Sequence, residues 1–341
     1  MKSPRKSLAV SCTAFFVVAT SFVFCLAPCV PQNLQQTSGA TYVDDALPKL
    51  QKAVPELASL KPDANQEDLP YILNSVAEAI ADFVPRLPNL VSREEVYRSE
   101  NTAKLDAPHQ YASLAMPGVS GPMAMTTIKP QEGRGQEFRY LILCNRNEQG
   151  TRIEESRTDS KGHPLTAATG KSNPLGSGFA YQWLLFSAAN QSEFRFRYLG
   201  EQTIDGRKTY VVAFAQTPER VKIPAVFRSR GKEAPYYYQG ILWADQETFN
   251  IALLRTDLLT PLRSLQLYGL TTELHFGSVQ IHGAEIQGGE ENFWLPNLVN
   301  MFIAQDTTEI EELHQYTDYR LFHSTATIVP APKDADDPPN Q

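Results

Sequence analysis

The 341-residue sequence predicts an α+β fold, an antiparallel sheet covered by a few helices, and three observations predict it. Phe194, Phe196 and Tyr198 alternate with Arg195 and Arg197, the period-two pattern of a half-buried strand. Asp205-Gly206 separates that run from a returning one, Tyr210, Val212 and Phe214; two residues that tolerate positive φ between alternating runs close a tight hairpin. Successive apolar runs then follow one another across short turns rather than across helices, which favours an antiparallel meander over a parallel βαβ sheet. Ile241 and Trp243 share a face of a third strand, Asp245 to Thr248 makes the turn, and Phe249, Ile251 and Leu253 are expected to share a face of the fourth.

Residues 1–31 carry a basic start, Lys2, Arg5 and Lys6, followed by an uncharged apolar run from Leu8 to Ala27, and Pro28 and Pro31 end any helix there. This is the pattern of a signal peptide, or of an N-terminal anchor if it stays uncleaved, since about 20 apolar residues span a bilayer. A cut after Ala27 would leave Pro28 next to the scissile bond, and a cut after Ala40 is the other option. Leu26-Ala27-Pro28-Cys29 resembles a lipobox, with Pro28 where Gly or Ala is usual, which makes Cys29 the candidate for lipid attachment. The chain is therefore expected to be exported to the periplasm or cell envelope. Three of its four cysteines lie in or beside this segment, so Cys144 is left as a small buried hydrophobe and no disulfide framework is expected.

The net charge is −7, with 31 basic and 38 acidic residues; without the three cations of the export segment it is −10. An acidic surface repels phosphate backbones, which argues against nucleic acid as a general partner and against a polybasic grip on anionic lipid. Any membrane association is accordingly assigned to the N-terminus.

Residues 32–90 read as a linker and N-terminal helices. Leu47, Leu50, Val54 and Leu57 recur at helical spacing, Asp45 is the expected cap, and Pro55 should kink the helix. Asp68 is the expected cap of a second helix whose stripe is Leu69, Ile72, Leu73, Val76, Ile80 and Phe83. Residues 91–326 form the β-rich domain. Its sheet begins at residues 91–99, 101–136 reads as an irregular flap, and Phe138–Cys144 pairs with Thr151–Thr158. A short helix, Phe179 to Ser187, should lie over a sheet face, and Gln216 to Ala234 reads as a rim loop. Further strands come from Leu265–Ile286, Glu291–Pro296, Asn297–Ala304 and Thr307–Ser324, with Pro296 at a strand end. Residues 327–341 are Pro/Asp-rich and read as a disordered tail.

The stretches LGEQTIDGRKTYVVAF and GILWADQETFNIALLRT, followed by a long strand and FWLPN, resemble the LolA/LolB/RseB-like superfamily of outer-membrane lipoprotein-sorting proteins. The likeness runs from about Ser92 to Phe322. It implies an open, strongly curved antiparallel half-barrel whose concave side is covered by helices, in a secreted bacterial protein.

No metal, cofactor or catalytic constellation stands out, so a non-enzymatic role is expected. His275 and His282 are seven apart on one strand and face opposite ways. Glu309, Glu311, Glu312 and His314 read as a solvated strand edge, and Arg195, Arg197, Arg207 and Arg255 as an outer polar face. The positive signal is aromatic. Phe179, Trp183, Phe186, Phe194, Phe196, Tyr198, Trp243 and Trp294 are expected to form one cluster between helix and sheet, either closed core or the lining of an apolar cavity for a lipid or acylated-protein ligand. The alternative is an envelope structural or sensor module that binds another protein through a sheet edge and the 101–136 flap.

Overall fold

The computed structural model describes residues 41–102, 135–147, 150–165, 174–176, 178–282 and 290–322. The export segment with Cys29, residues 103–134 of the expected flap, residues 323–326 and the expected tail at 327–341 lie outside them. The described residues belong to one compact unit.

Chain order starts with α1 (Leu47–Ala53), a 3₁₀ turn (Pro55–Ser59), the two-residue strand β1 (Lys61–Pro62) and α2 (Leu69–Phe83). The break at Val54 sits where Pro55 withholds its N–H. Neither expected aspartate caps a helix. Asp45 falls one residue before the cap position, Ala46, and bonds Lys49 instead. Asp68 holds the cap position of α2 in helical conformation, so its carboxylate is not turned toward the first free N–H groups and makes no capping bond.

The strands that follow are β2 (Leu90–Thr102), β3 (Gln136–Asn147), β4 (Gly150–Asp159), β5 (Phe194–Ile204), β6 (Arg207–Gln216), β7 (Ala225–Ser229), β8 (Lys232–Tyr236), β9 (Tyr238–Asp245), β10 (Ile251–Leu258), β11 (Leu267–His282), β12 (Glu290–Gln305) and β13 (Thr308–Leu321). Eleven of them form one sheet in the order β1-β5-β6-β9-β10-β11-β12-β13-β2-β3-β4, while β7 and β8 pair apart. Neighbours in the large sheet are antiparallel. Asp205 and Gly206 close the β5–β6 hairpin with φ of 49° and 80°, the two positive values a type I′ turn requires.

This sheet is open and curved, and one short helix shows the curvature. The 3₁₀ helix Ala180–Phe186 is about 14 Å long at ~2.0 Å per residue. At its start, the N–H groups of Phe179 and Ala180 bond Glu155 on β4. At its end, the Phe186 ring lies 6.3 Å from Phe194 on β5. In a flat sheet, β4 and β5 would be about 43 Å apart at ~4.8 Å per strand. Only a sheet bent into a half-barrel brings both within reach of one short helix.

The inner face holds the larger core, formed by α2, the 3₁₀ helix and residues such as Tyr140, Val212, Phe214, Leu254, Leu274 and Val299. The outer face of β5, β6, β9 and β10 holds a second core: Tyr42, Leu50, Val54, Leu57 and Leu60 cover Val211, Ala213, Ile241, Trp243 and Leu253. Burial on both faces explains why these strands carry unbroken apolar runs.

Four sequence expectations change. A bulge between Ile251 and Leu253 sends Ile251 to the inner core and Leu253 to the outer one, and Phe249 sits before the strand at φ 56°. Pro296 lies inside β12, not at a strand end. It sits at a register shift opposite Phe276, beyond the end of the β12–β13 ladder at Leu298. Its carbonyl accepts a bond from the Tyr319 hydroxyl, so the missing N–H faces the side where the two strands have parted. The stretch expected to be a rim loop contains the β7–β8 hairpin, turned by Arg230 and Gly231 at φ 52° and 73°. Finally, β13 is an interior strand, between β12 and β2.

Candidate functional site

A cavity of about 580 Å³ opens on the inner face. Its floor is sheet: Tyr238, Thr256 and Leu258, then Leu270 and Thr272, then Met301 and Ile303. Its roof is the 3₁₀ helix, through Phe179, Gln182 and Leu185, and the β7–β8 hairpin, through Ala225, Phe227 and Tyr236. Leu175 and Gly176 complete a side wall. The lining mixes apolar side chains with amide and hydroxyl groups from Gln182, Thr256, Thr272 and Gln305, and it includes the charged residues Arg228 and Asp257. That volume and that mixture are typical of small-molecule sites.

The aromatic residues singled out in the sequence have four fates. Phe179 lines the cavity. Phe186, Phe194, Phe196 and Tyr198 fill the β5–β6 end of the inner face; Phe186 stands edge-on to Phe214 at 5.0 Å, and Tyr198 lies 6.2 Å from Tyr210. Trp183 meets Phe83 edge-on at 5.2 Å, and with Trp294 and Phe276 it borders a void of only about 20 Å³, the size of one water. The Trp294 indole N–H bonds the Ile251 carbonyl, and the Arg207 guanidinium stacks on its ring at 4.7 Å. Trp243 does not join the others. It is fully buried on the outer face, where its N–H bonds Gln202 at 3.0 Å, because β9 turns odd positions outward.

The side wall is fastened by buried charge. Arg157 on β4 makes a bidentate pair with Glu94 on β2, at 2.6 and 2.9 Å, and donates to the Gly176 carbonyl at 2.8 Å. Glu94 also accepts from Tyr316 and contacts His314 Nδ1, both at 2.8 Å. Nε2 of His314 lies 3.1 Å from Glu312, which accepts the Leu175 N–H at 2.6 Å and pairs with Arg98. Burial alone would raise the Glu94 carboxyl, but the Arg157 charge and the bonds from His314 and Arg157 hold it down at about 2. Segments 174–176 and 178–180 are therefore tied at Leu175, Gly176, Phe179 and Ala180. Gly178 is needed because a Cβ there would sit 2.5 Å from the Glu155 carboxylate.

This network corrects the reading of Glu312 and His314 as members of a solvated edge: they are 1% and 0% exposed. Arg255, assigned to an outer polar face, is fully buried and pairs with Asp257 and Glu56 beneath the N-terminal arm, while Tyr42 bonds Asp257. Arg195 and Arg197 reach the same arm at Asp44 and the Asp45 carbonyl. Burial lifts the Glu56 carboxyl to about 7 against the pull of Arg255, and the Glu273 carboxyl beside it pushes the same way. Cys144 is buried, and burial raises its thiol. Among the described residues, no group of three or more His, Cys, Asp and Glu is arranged to hold a metal.

Two features of the site leave a trace in the sequence. Arg230-Gly231 between Ala225/Phe227 and Ala234/Tyr236 is a hairpin signal of the same kind as Asp205-Gly206. Met301 and Ile303, alternating with Phe302 and Ala304, mark a strand with two distinct apolar faces.

No family model and no curated protein matches the sequence. Solved structures do. The chain is similar to a LolA superfamily protein from Nitrosomonas europaea at 12% identity, over 75% of this chain and 94% of that one, with a TM-score of 0.31. It is similar to a putative outer membrane lipoprotein-sorting protein domain from Vibrio parahaemolyticus at 11% identity, over 73% and 91%, with a TM-score of 0.31. A DUF1329 family protein from Desulfovibrio piger follows at 12% identity, over 75% and 94%, with a TM-score of 0.32.

Proposed function

We propose that this chain is an exported binding protein that holds a lipid or acyl ligand in the cavity between the 3₁₀ helix, the β7–β8 hairpin and the curved sheet. The observation that carries the reading is the cavity itself: about 580 Å³ left open on a face otherwise closed by aromatic side chains. Where apolar side chains line such a space unfilled, dispersion contacts are forgone, and a ligand restores them. Each methylene moved from water into such a space contributes roughly 0.8 kcal/mol. Gln182, Thr256, Thr272 and Gln305 supply donors and acceptors for an ester, amide or carboxyl group. The work is holding, with no bond made or broken, and the N-terminal segment delivers the chain to the envelope.

Native mass spectrometry of gently purified protein tests the reading. Adducts of lipid mass that leave on collisional activation support it. An apo mass that takes up no added fatty acid overturns it.

A further inference from the structure

We infer that the 218–236 segment, which carries the β7–β8 hairpin over the cavity, is a docking surface for an anionic lipid membrane. The surface adjoins the ligand cavity, sharing Val226 and Arg228 with its lining, and the inference stands whether or not the cavity holds lipid.

Two observations point there. The first is misplaced apolar surface. Among the described residues, three large hydrophobic side chains are exposed, Tyr71, Ile223 and Val226, and two of them are in this segment. Ile223 is 87% exposed, far beyond anything packing asks of an isoleucine. Val226 stands opposite Pro235 on the hairpin and is 39% exposed at the rim of the cavity, which Ala225 and Phe227 line more deeply buried.

The second is charge. Residues 218–236 hold Arg220, Lys222, Arg228, Arg230 and Lys232 against Glu219 and Glu233, a surplus of three positive charges in a chain whose net charge is −7. Lys222, Arg228 and Arg230 have acidic neighbours in Glu193, Glu233 and Asp306, yet their side chains remain 63%, 72% and 70% exposed. Exposed pairs of this kind are weak and leave the cations free to meet another anionic surface.

Exposed aliphatic side chains ringed by long cations are the composition of an interfacial anchor. The apolar tip enters the headgroup boundary and the cations face lipid phosphates. Nucleic acid offers the phosphates but nothing for Ile223 and Val226. The acidic remainder of the chain keeps the contact local, so the hairpin orients the molecule with its cavity roof toward the bilayer.

The test is position-specific, so that binding through the N-terminal segment cannot imitate it. Ile223→Trp in the full chain adds one exposed indole to three native tryptophans that are buried or half-buried. With vesicles of phosphatidylcholine and phosphatidylglycerol carrying bromine on their acyl chains, the added emission should shift blue and lose at least half its intensity. The effect should fall severalfold in pure phosphatidylcholine or in high salt. In this background, Arg228→Glu with Lys232→Glu should abolish it while leaving the melting temperature in place. Emission from Trp at 223 that is unquenched while the protein floats with the vesicles would overturn the inference, as would equal quenching in neutral vesicles and with the charge-reversed variant.

Discussion

The inner face of the sheet has two apolar ends that differ in what crosses them. At the β5–β6 end, Phe186 drops from the 3₁₀ helix into Phe194, Phe196 and Phe214, and the space is full. Near β10 to β12, the same helix offers Gln182 and Leu185 and the β7–β8 hairpin bridges overhead, and about 580 Å³ stays open. Both ends are greasy. Room for a ligand comes from the length of the side chains facing the sheet and from a roof propped at a distance, not from hydrophobicity as such.

Substitutions should separate the two ends. Phe186→Ala opens a void in the closed end and should cost about 3–5 kcal/mol, read as a lower denaturant midpoint. Arg157→Leu leaves Glu94 buried without its counter-charge and should cost a similar ~3–5 kcal/mol. It also frees the Gly176 carbonyl, so amide exchange at Leu175, Phe179 and Ala180 should quicken more than exchange in β5 and β6. Gly178→Ala pushes a methyl toward Glu155 and should cost about 1–3 kcal/mol, weakening ligand retention before it unfolds the chain.

Smaller effects are read through pH. Glu94 is held at about 2, below its ordinary value of 4.5, so its contribution is complete above 4.5 and is lost as pH falls toward 2. Glu56 runs the other way. Raised to about 7, it favours the folded state at low pH, and that contribution fades as pH climbs from 4.5 to 7. Glu273 beside it is shifted downward, so its own contribution is complete above 4.5 and does not change across that window. Glu56→Gln should therefore flatten the stability profile between pH 4.5 and 7, as seen in denaturation midpoints across that range.

Much of this architecture was legible in the residues. Asp205-Gly206 announced its hairpin, the α2 stripe its buried face, and Pro55 its break, because each is a local rule written within a few positions. Curvature came through the family resemblance and from no local rule, since it depends on β13 pairing with β2 across more than two hundred residues and on one short helix touching both ends of the sheet. Glu309 to His314 has the texture of a wet edge, and nothing local says that Glu94 and Arg98 wait opposite. Trp243 looked like a cavity aromatic because period-two reading shows which residues share a face, not which face is inner. The cavity is harder still, being a space between elements far apart in the chain.

The most direct test of the ligand-holding account is the titration of a fluorescent fatty acid into the full chain and into Ile303→Trp, with an indole placed on the cavity floor. The wild type should bind saturably; the variant should melt within a few degrees of it and bind at least tenfold more weakly. Equal affinity in the two proteins, or no saturable binding to the wild type, would contradict the account.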